Sequence, residues 1–347
     1  AGCPRHSRRL AGRRLVARDL WRRFLPPAIL FLTLVNGCNL WEESQPERYA
    51  VVYGVSEYDG QSVILGTVDL TFPAKDARDL SQLLVSRGYE VIMRTDAEAT
   101  KANLTRDLET LSRRMGAEAT LLFYFSGHGY GSGKEDEYQG SEVEAVLGTL
   151  PGREVEPGVD EYLFLHGSIA ANGFGTDVTP ELALTDDELG RLLRGTPARH
   201  KIVVVDICHA GGVIGPTPYF DRTAYRGGDG PRLVDRLREP IRSFGNKLGD
   251  IDVSAPDTIV LAASGEREFA WEPGDTGGSI ENGYFTHFLM EGATEADRNN
   301  DGLVTALELY RYTGQAIRRE VHPTLSYDDR SVPRTNGGAI DVVIFGP

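Results

Sequence analysis

From Pro46 onward, short apolar runs alternate with stretches whose apolar residues recur every three or four positions. Tyr49-Ala-Val-Val-Tyr-Gly-Val55 is almost continuously apolar, the pattern of a strand buried on both faces. Residues 74–87 then place Ala77, Leu80, Leu83 and Leu84 on one stripe, a helix stopped by Gly88. A strand follows over 89–93, and a second helix over 100–115 carries Leu104, Leu108 and Leu111 behind Thr100 as N-cap. Further strands are expected at 120–125, 201–206, 257–263 and 339–345, with helices near 185–194, 283–291 and 305–319. Six buried strands alternating with helices predict an α/β fold, a mostly parallel six-stranded sheet with helices on both faces. Chemistry in such a sheet belongs beyond the carboxyl ends of the parallel strands.

Charge divides the chain. The net charge is −14, yet residues 1–37 hold eight arginines against Asp19, a net of +7, which leaves −21 on the rest. That acidic remainder argues against a nucleic-acid partner. Three cysteines exclude a disulfide-dense scaffold. The apolar run Phe24 to Val35 contains Pro26 and Pro27 and is too short to span a bilayer, but it suits the core of a signal peptide. It ends in Val35-Asn36-Gly37-Cys38, which resembles a bacterial lipoprotein signal. The resemblance implies cleavage after residue 37, lipidation of Cys38 and a linker over 38–47. The product would be an exported, membrane-anchored lipoprotein of the cell envelope or periplasm.

Two strand ends carry the chemistry. The strand at 120–125 runs into Ser126-Gly127-His128-Gly129, and the strand at 201–206 runs into Asp206-Ile207-Cys208-His209-Ala210-Gly211-Gly212. A histidine and a cysteine thus emerge at one edge of one sheet, which suits a thiolate nucleophile beside a proton carrier. With Cys38 lipidated and Cys3 removed, Cys208 is the only thiol of the remaining domain. A buried strand-end cysteine beside a capping histidine is the bland alternative, and it weakens when both residues occupy equivalent strand ends.

Tyr-Phe-Ser126-Gly-His128-Gly together with Val-Asp206-Ile-Cys208-His-Ala-Gly resembles the caspase-like cysteine peptidases, above all their metacaspase and bacterial orthocaspase branch. Lys75-Asp76-Ala77 and Asn282-Gly-Tyr-Phe-Thr286 extend the likeness over about residues 48–346. It implies the caspase-hemoglobinase fold, with a p20-like part at 48–211, an exposed basic linker at 212–250 and a p10-like part at 251–347. It also implies Cys208 as nucleophile, His128 as proton carrier, and an oxyanion hole from the backbone N–H groups of Gly129 and Cys208. Asp76, Asp206 and Ser126 match a pocket for the P1 residue, where two carboxylates would favour Arg or Lys. Ala210 departs from the serine usual in the branch. His209 is expected to be structural.

No cofactor is expected for the chemistry itself, but calcium is expected to influence it. Asp297, Asn299 and Asp301, with Gly302, the carbonyl of Leu303 and Glu308, have EF-hand loop spacing. Asp186 and Asp187 resemble the region holding calcium ligands in calcium-activated metacaspases, although Thr185 and Glu188 there also read as a capping box. Asp160 and Glu161 match more weakly. Residues 130–160 read as an exposed flap. The basic segment 212–250 reads as a site of self-cleavage or as a solvated loop. The expected partners are peptides or proteins with Arg or Lys at P1, the expected state a monomer. A silent binding module of the same fold and a thiol hydrolase of another α/β family are the competing readings; the second lacks Gly-x-Ser-x-Gly, P-loop and dinucleotide-binding fingerprints.

Overall fold

The computed structural model describes residues 48–60, 69–131, 161–171, 176–207, 257–264, 270–273, 280–325, 330–335 and 341–346. The expected signal peptide and Cys38, the flap over 132–160 and the basic segment 212–250 lie outside them. The main elements are β1 (Arg48–Gly54), α1 (Pro73–Ser86), β2 (Glu90–Thr95), α2 (Lys101–Ser112), β3 (Thr120–Ser126), α3 (Asp186–Arg194), β4 (His200–Asp206), β5 (Thr258–Ala262), α4 (Tyr284–Glu295), α5 (Ala306–Ala316) and β6 (Arg334–Thr335). They build one six-stranded sheet in the order β6-β5-β4-β3-β1-β2. The five longer strands are parallel and β6 alone runs antiparallel, on β5.

Alternation along the strands sorts their side chains onto two cores. Val51, Tyr53, Phe123, Phe125, Val203 and Val205 pack with the leucines of α2 and α3. Ala50, Val52, Leu122, Tyr124, Ile202 and Val204 pack with α1, α4 and α5 on the other face. β1, β3 and β4 are buried almost throughout. β2 is only half-buried, as an edge strand can be. The helix ends follow their caps: the Thr100 side chain accepts from Asn103 N, and Thr185 and Thr305 each form a reciprocal capping box with the glutamate three residues on. Among the described residues, no helix is long and apolar enough to cross a membrane.

The sixth strand differs from expectation. Val343–Phe345 is a strand, but it pairs with Val304–Thr305 in a separate two-stranded ribbon. The sheet edge is instead taken by Arg334–Thr335. An apolar run reports burial, which Ile344 and Phe345 satisfy against α4 and α5, but not the partner strand. The true edge is two residues long and follows Pro333, so it carries no strand pattern.

One buried polar group ties β1, β2 and α2 together. Asp107, on α2, accepts the Tyr53 hydroxyl at 2.7 Å and the Arg94 guanidinium at 2.9 and 3.0 Å. Removing the carboxylate would strand the buried Tyr53 hydroxyl, while Arg94, 29% exposed, keeps Glu98 as a partner. Asp107→Ala is therefore expected to cost about 1–3 kcal/mol, read as a lower urea midpoint with an unchanged m-value.

Candidate active site

The register of β3 on β4 sets Ser126 opposite Asp206, the last residues of two neighbouring parallel strands. His128 and Cys208 each follow one of these two residues by two positions in the sequence. A bond from Gly127 N to Asp206 O at 3.3 Å ties the two strand ends together. β4 delivers the chain to Ile207, which is buried and whose carbonyl accepts from Ser264 Oγ at 2.9 Å. Cys208 and His209 themselves lie outside the described residues. Gly129 opens the short strand Gly129–Gly131, paired antiparallel with Glu161–Leu163.

A small solvent-open cleft of about 70 Å³ lies beside His128. Asp76, Ser126, Asp206, Gly283, Trp271 and Glu272 line it. Three of the residues expected to share a pocket are thus brought together. Asp76 and Asp206 are 1% and 7% exposed, and the Ser126 hydroxyl donates to Asp76 Oδ2 at 3.2 Å.

The N-terminus of α4 holds both carboxylates. Gly283 N donates to Asp76 at 3.0 Å, while Thr286 donates to Asp206 Oδ2 from its backbone N at 3.2 Å and its hydroxyl at 2.7 Å. With the Thr286 hydroxyl committed to Asp206, the Tyr124 hydroxyl at 2.6 Å donates to Thr286 Oγ1. Amide donors at a helix N-terminus favour anions, yet burial wins here. Loss of hydration raises Asp76 well above the ordinary carboxylate range, and repulsion from Asp206 adds to the rise. Asp206 is raised as well, chiefly by burial and against the bonds from Thr286.

Glu272 was not foreseen. Its carboxylate takes the N–H groups of Thr71 and Phe72, both at 3.1 Å, just before α1, and Ser56 Oγ takes the next free amide, Ala74 N, at 2.9 Å. The amides leading into the helix that carries Asp76, and the first amide within it, are thereby satisfied. Burial raises Glu272 too, and its charge raises both aspartates. A lone acid between two turn-rich stretches has no periodicity, and its partners sit about 200 residues away. No sequence pattern reports that.

The expected calcium positions lie elsewhere. Asp297 and Asn299 accept from Asp301 N, Asp297 also from Gly302 N, and Asp301 from Leu303 N. Gly302 makes the left-handed turn expected at position six of an EF-hand loop, and Asn300 is left-handed as well. Glu308, however, turns back onto Thr305 as part of its helix cap. At the second place Glu188 completes a helix cap and accepts Lys101 Nζ at 2.6 Å, with Asp186 and Asp187 in the same first turn. Among the described residues, no group of three or more His, Cys, Asp or Glu side chains is gathered to hold a metal. The donor spacing fits a cation, but the side chains are arranged as caps and turns.

Among solved structures, a protein from Geobacter sulfurreducens is 21% identical with a TM-score of 0.47, over 84% of this chain and 92% of that one. Caspase-1 from Spodoptera frugiperda is 13% identical with a TM-score of 0.42, over 84% and 86% respectively. No curated protein matches. The sequence profile of the caspase domain matches residues 47–330, starting one residue before β1 and taking in the whole sheet as far as β5 with the five main helices. This span holds most of the folded chain and both strand ends at the cleft, so the chain belongs to the caspase domain family, which supports cysteine-peptidase activity in broad terms.

Proposed function

We propose that the protein is a cysteine endopeptidase that cuts after Arg or Lys. The observation that carries this reading is the pair of buried carboxylates, Asp76 and Asp206, facing one cleft beside His128 with Glu272 lining the same space. Each acid raises the cost of ionising its neighbours, and a cationic side chain entering the cleft relieves that cost. A guanidinium matches two carboxylates by geometry as well as charge, whereas an acidic P1 residue adds to the repulsion.

In the proposed reaction the Cys208 thiolate attacks the scissile carbonyl carbon, and the oxyanion is met by the N–H groups of Gly129 and Cys208. His128 gives its proton to the amine nitrogen as the C–N bond breaks, leaving a thioester. Water then attacks the thioester while His128 accepts a proton, and the carboxylate product leaves with the thiolate restored. No step in this sequence runs through a metal. Calcium is proposed as a modulator, supported only by the spacing and backbone of the 297–308 loop. Self-cleavage within 212–250 is supported by its seven basic residues and the proposed P1 choice. Export and anchoring through Cys38 rest on the N-terminal sequence.

The test uses the full chain with fluorogenic peptides ending in Arg, Lys or Asp, with calcium or a chelator, and Cys208→Ala as control. Release after Arg or Lys is expected to exceed release after Asp by roughly 100-fold or more, since a like-charge placement costs several kcal/mol. Release after Asp at an equal or higher rate would overturn the pocket assignment. Equal rates with calcium and chelator would remove the modulator.

A further inference from the structure

The residue that fixes the His128 turn lies outside the pocket and outside the two motifs. Tyr58 follows β1 by four residues and is buried, with 6% of its surface exposed. Its hydroxyl accepts the backbone N–H of His128 at 3.0 Å and donates to the carbonyl of Phe164 at 3.0 Å. Phe164 N in turn donates to the carbonyl of His128 at 3.0 Å. Both polar groups of His128's own backbone are therefore held, one by Tyr58 directly and one by the residue that Tyr58 also grips. The Tyr58 ring lies against the imidazole, with centroids 4.9 Å apart and planes inclined by 45°. Room for this contact comes from Gly127: a Cβ there would stand 2.8 Å from the Tyr58 hydroxyl.

We infer that Tyr58 is a positioning residue that sets the place of the His128 imidazole through a hydroxyl clamp on its backbone and a ring contact on its side chain. The inference rests on the peptidase reading of His128 and adds to it a residue that neither motif contains. A proton carrier misplaced by about 1 Å can cost on the order of 100-fold in rate. A single hydroxyl joins three segments here, so its loss frees the turn without removing the ring. A tyrosine that merely filled the core would affect the amount of folded protein and leave the turnover of each folded molecule alone.

Tyr58→Phe in the full chain is the decisive variant, with Tyr58→Leu removing hydroxyl and ring together. For Tyr58→Phe, kcat per titrated active site is expected to fall ~10- to 100-fold, with KM for an Arg peptide within about 3-fold of wild type. Tyr58→Leu is expected to be slower still; if it does not fold, Tyr58→Phe decides alone. A second readout does not need activity. The His128 imidazole resonance, assigned by its loss in His128→Ala, is expected to shift or broaden in Tyr58→Phe, and the His128 amide to exchange at least ~10-fold faster. An unchanged kcat in folded Tyr58→Phe would overturn the inference. Should wild type cleave no peptide, the peptidase reading fails by itself, and the resonance decides for Tyr58: movement upholds the positioning role, and an unmoved signal refutes it.

Discussion

Asp206→Asn is expected to yield a protein more stable than wild type at pH 8 and roughly 100-fold slower at cutting after Arg. Both effects have one cause. Asp206 and Asp76 are buried acids held well above the ordinary range, Asp76 pushed up to about 8. An acid whose folded value is raised binds more protons in the native than in the unfolded state. Its contribution is complete below the unfolded value near 4 and is lost as pH rises toward the folded value. Wild type should therefore lose stability between about pH 4 and pH 8. Asparagine keeps an acceptor for the Thr286 N–H and hydroxyl, but it carries no charge to repel Asp76. At about 1.4 kcal/mol for each pH unit by which a buried acid is raised, relieving the repulsion is expected to stabilise by about 1–2 kcal/mol at pH 8.

The activity is expected to move the other way because, under the proposed P1 choice, the same charge is what an Arg side chain would meet. Losing one partner of a desolvated charge pair costs about 3 kcal/mol, or two decades of kcat/KM. In wild type, KM for an Arg peptide should fall as pH rises from 5 to 8 and the pair ionises; in Asp206→Asn that fall should be shallower. Urea midpoints at pH 5 and pH 8, set beside kcat/KM at each, separate the two effects. An Asp206→Asn protein less stable at pH 8 than wild type would mean that the carboxylate is stabilising in place. The pocket would then have to be read as a structural anchor for α4.

What could be read from the sequence divides along physical lines. β1, β3, β4 and β5 were legible because strands buried on both faces cannot hide their apolar runs. α1, α2 and α3 were legible from one apolar stripe and their termini. The sheet's last edge was not: Arg334–Thr335 has neither length nor pattern, and Val343–Phe345 had the pattern but another partner. The site splits in the same way. His128, Ser126 and Asp206 stand where parallel strands end, so topology alone brings them together. Glu272, Thr286, Gly283 and Tyr58 act through contacts with residues 70 to 207 positions away. Nothing local in their sequence neighbourhoods encodes those contacts.

Gly283→Ala is the second large effect, and a single methyl group produces it. Gly283 caps α4 with φ −50° and ψ 139°, a conformation open to any residue. Backbone freedom is therefore not what the position demands; space is. A Cβ built there lies 2.8 Å from Asp206 Oδ2 and 3.1 Å from Asp76 Oδ2. Neither carboxylate can yield easily, since Asp206 is held by Thr286 and Asp76 by Gly283's own N–H. The methyl must push the acids apart or lift the start of α4. Overpacking of this kind costs about 1–3 kcal/mol in stability, and under the proposed specificity displaced carboxylates would no longer meet a P1 cation together. Cleavage after Arg and Lys is expected to fall by ~100-fold or more. Iodoacetamide alkylation of Cys208 should change by less than about 3-fold, because the methyl touches the pocket acids and not the His128 turn. A double-mutant cycle tests the cause. In an Asp206→Ala background, adding Gly283→Ala should cost much less stability than in wild type, a coupling of at least ~0.5 kcal/mol, while cleavage stays lost. If the two costs simply add, the methyl acts through the helix cap, and the two acids do not share Gly283 as the wall between them.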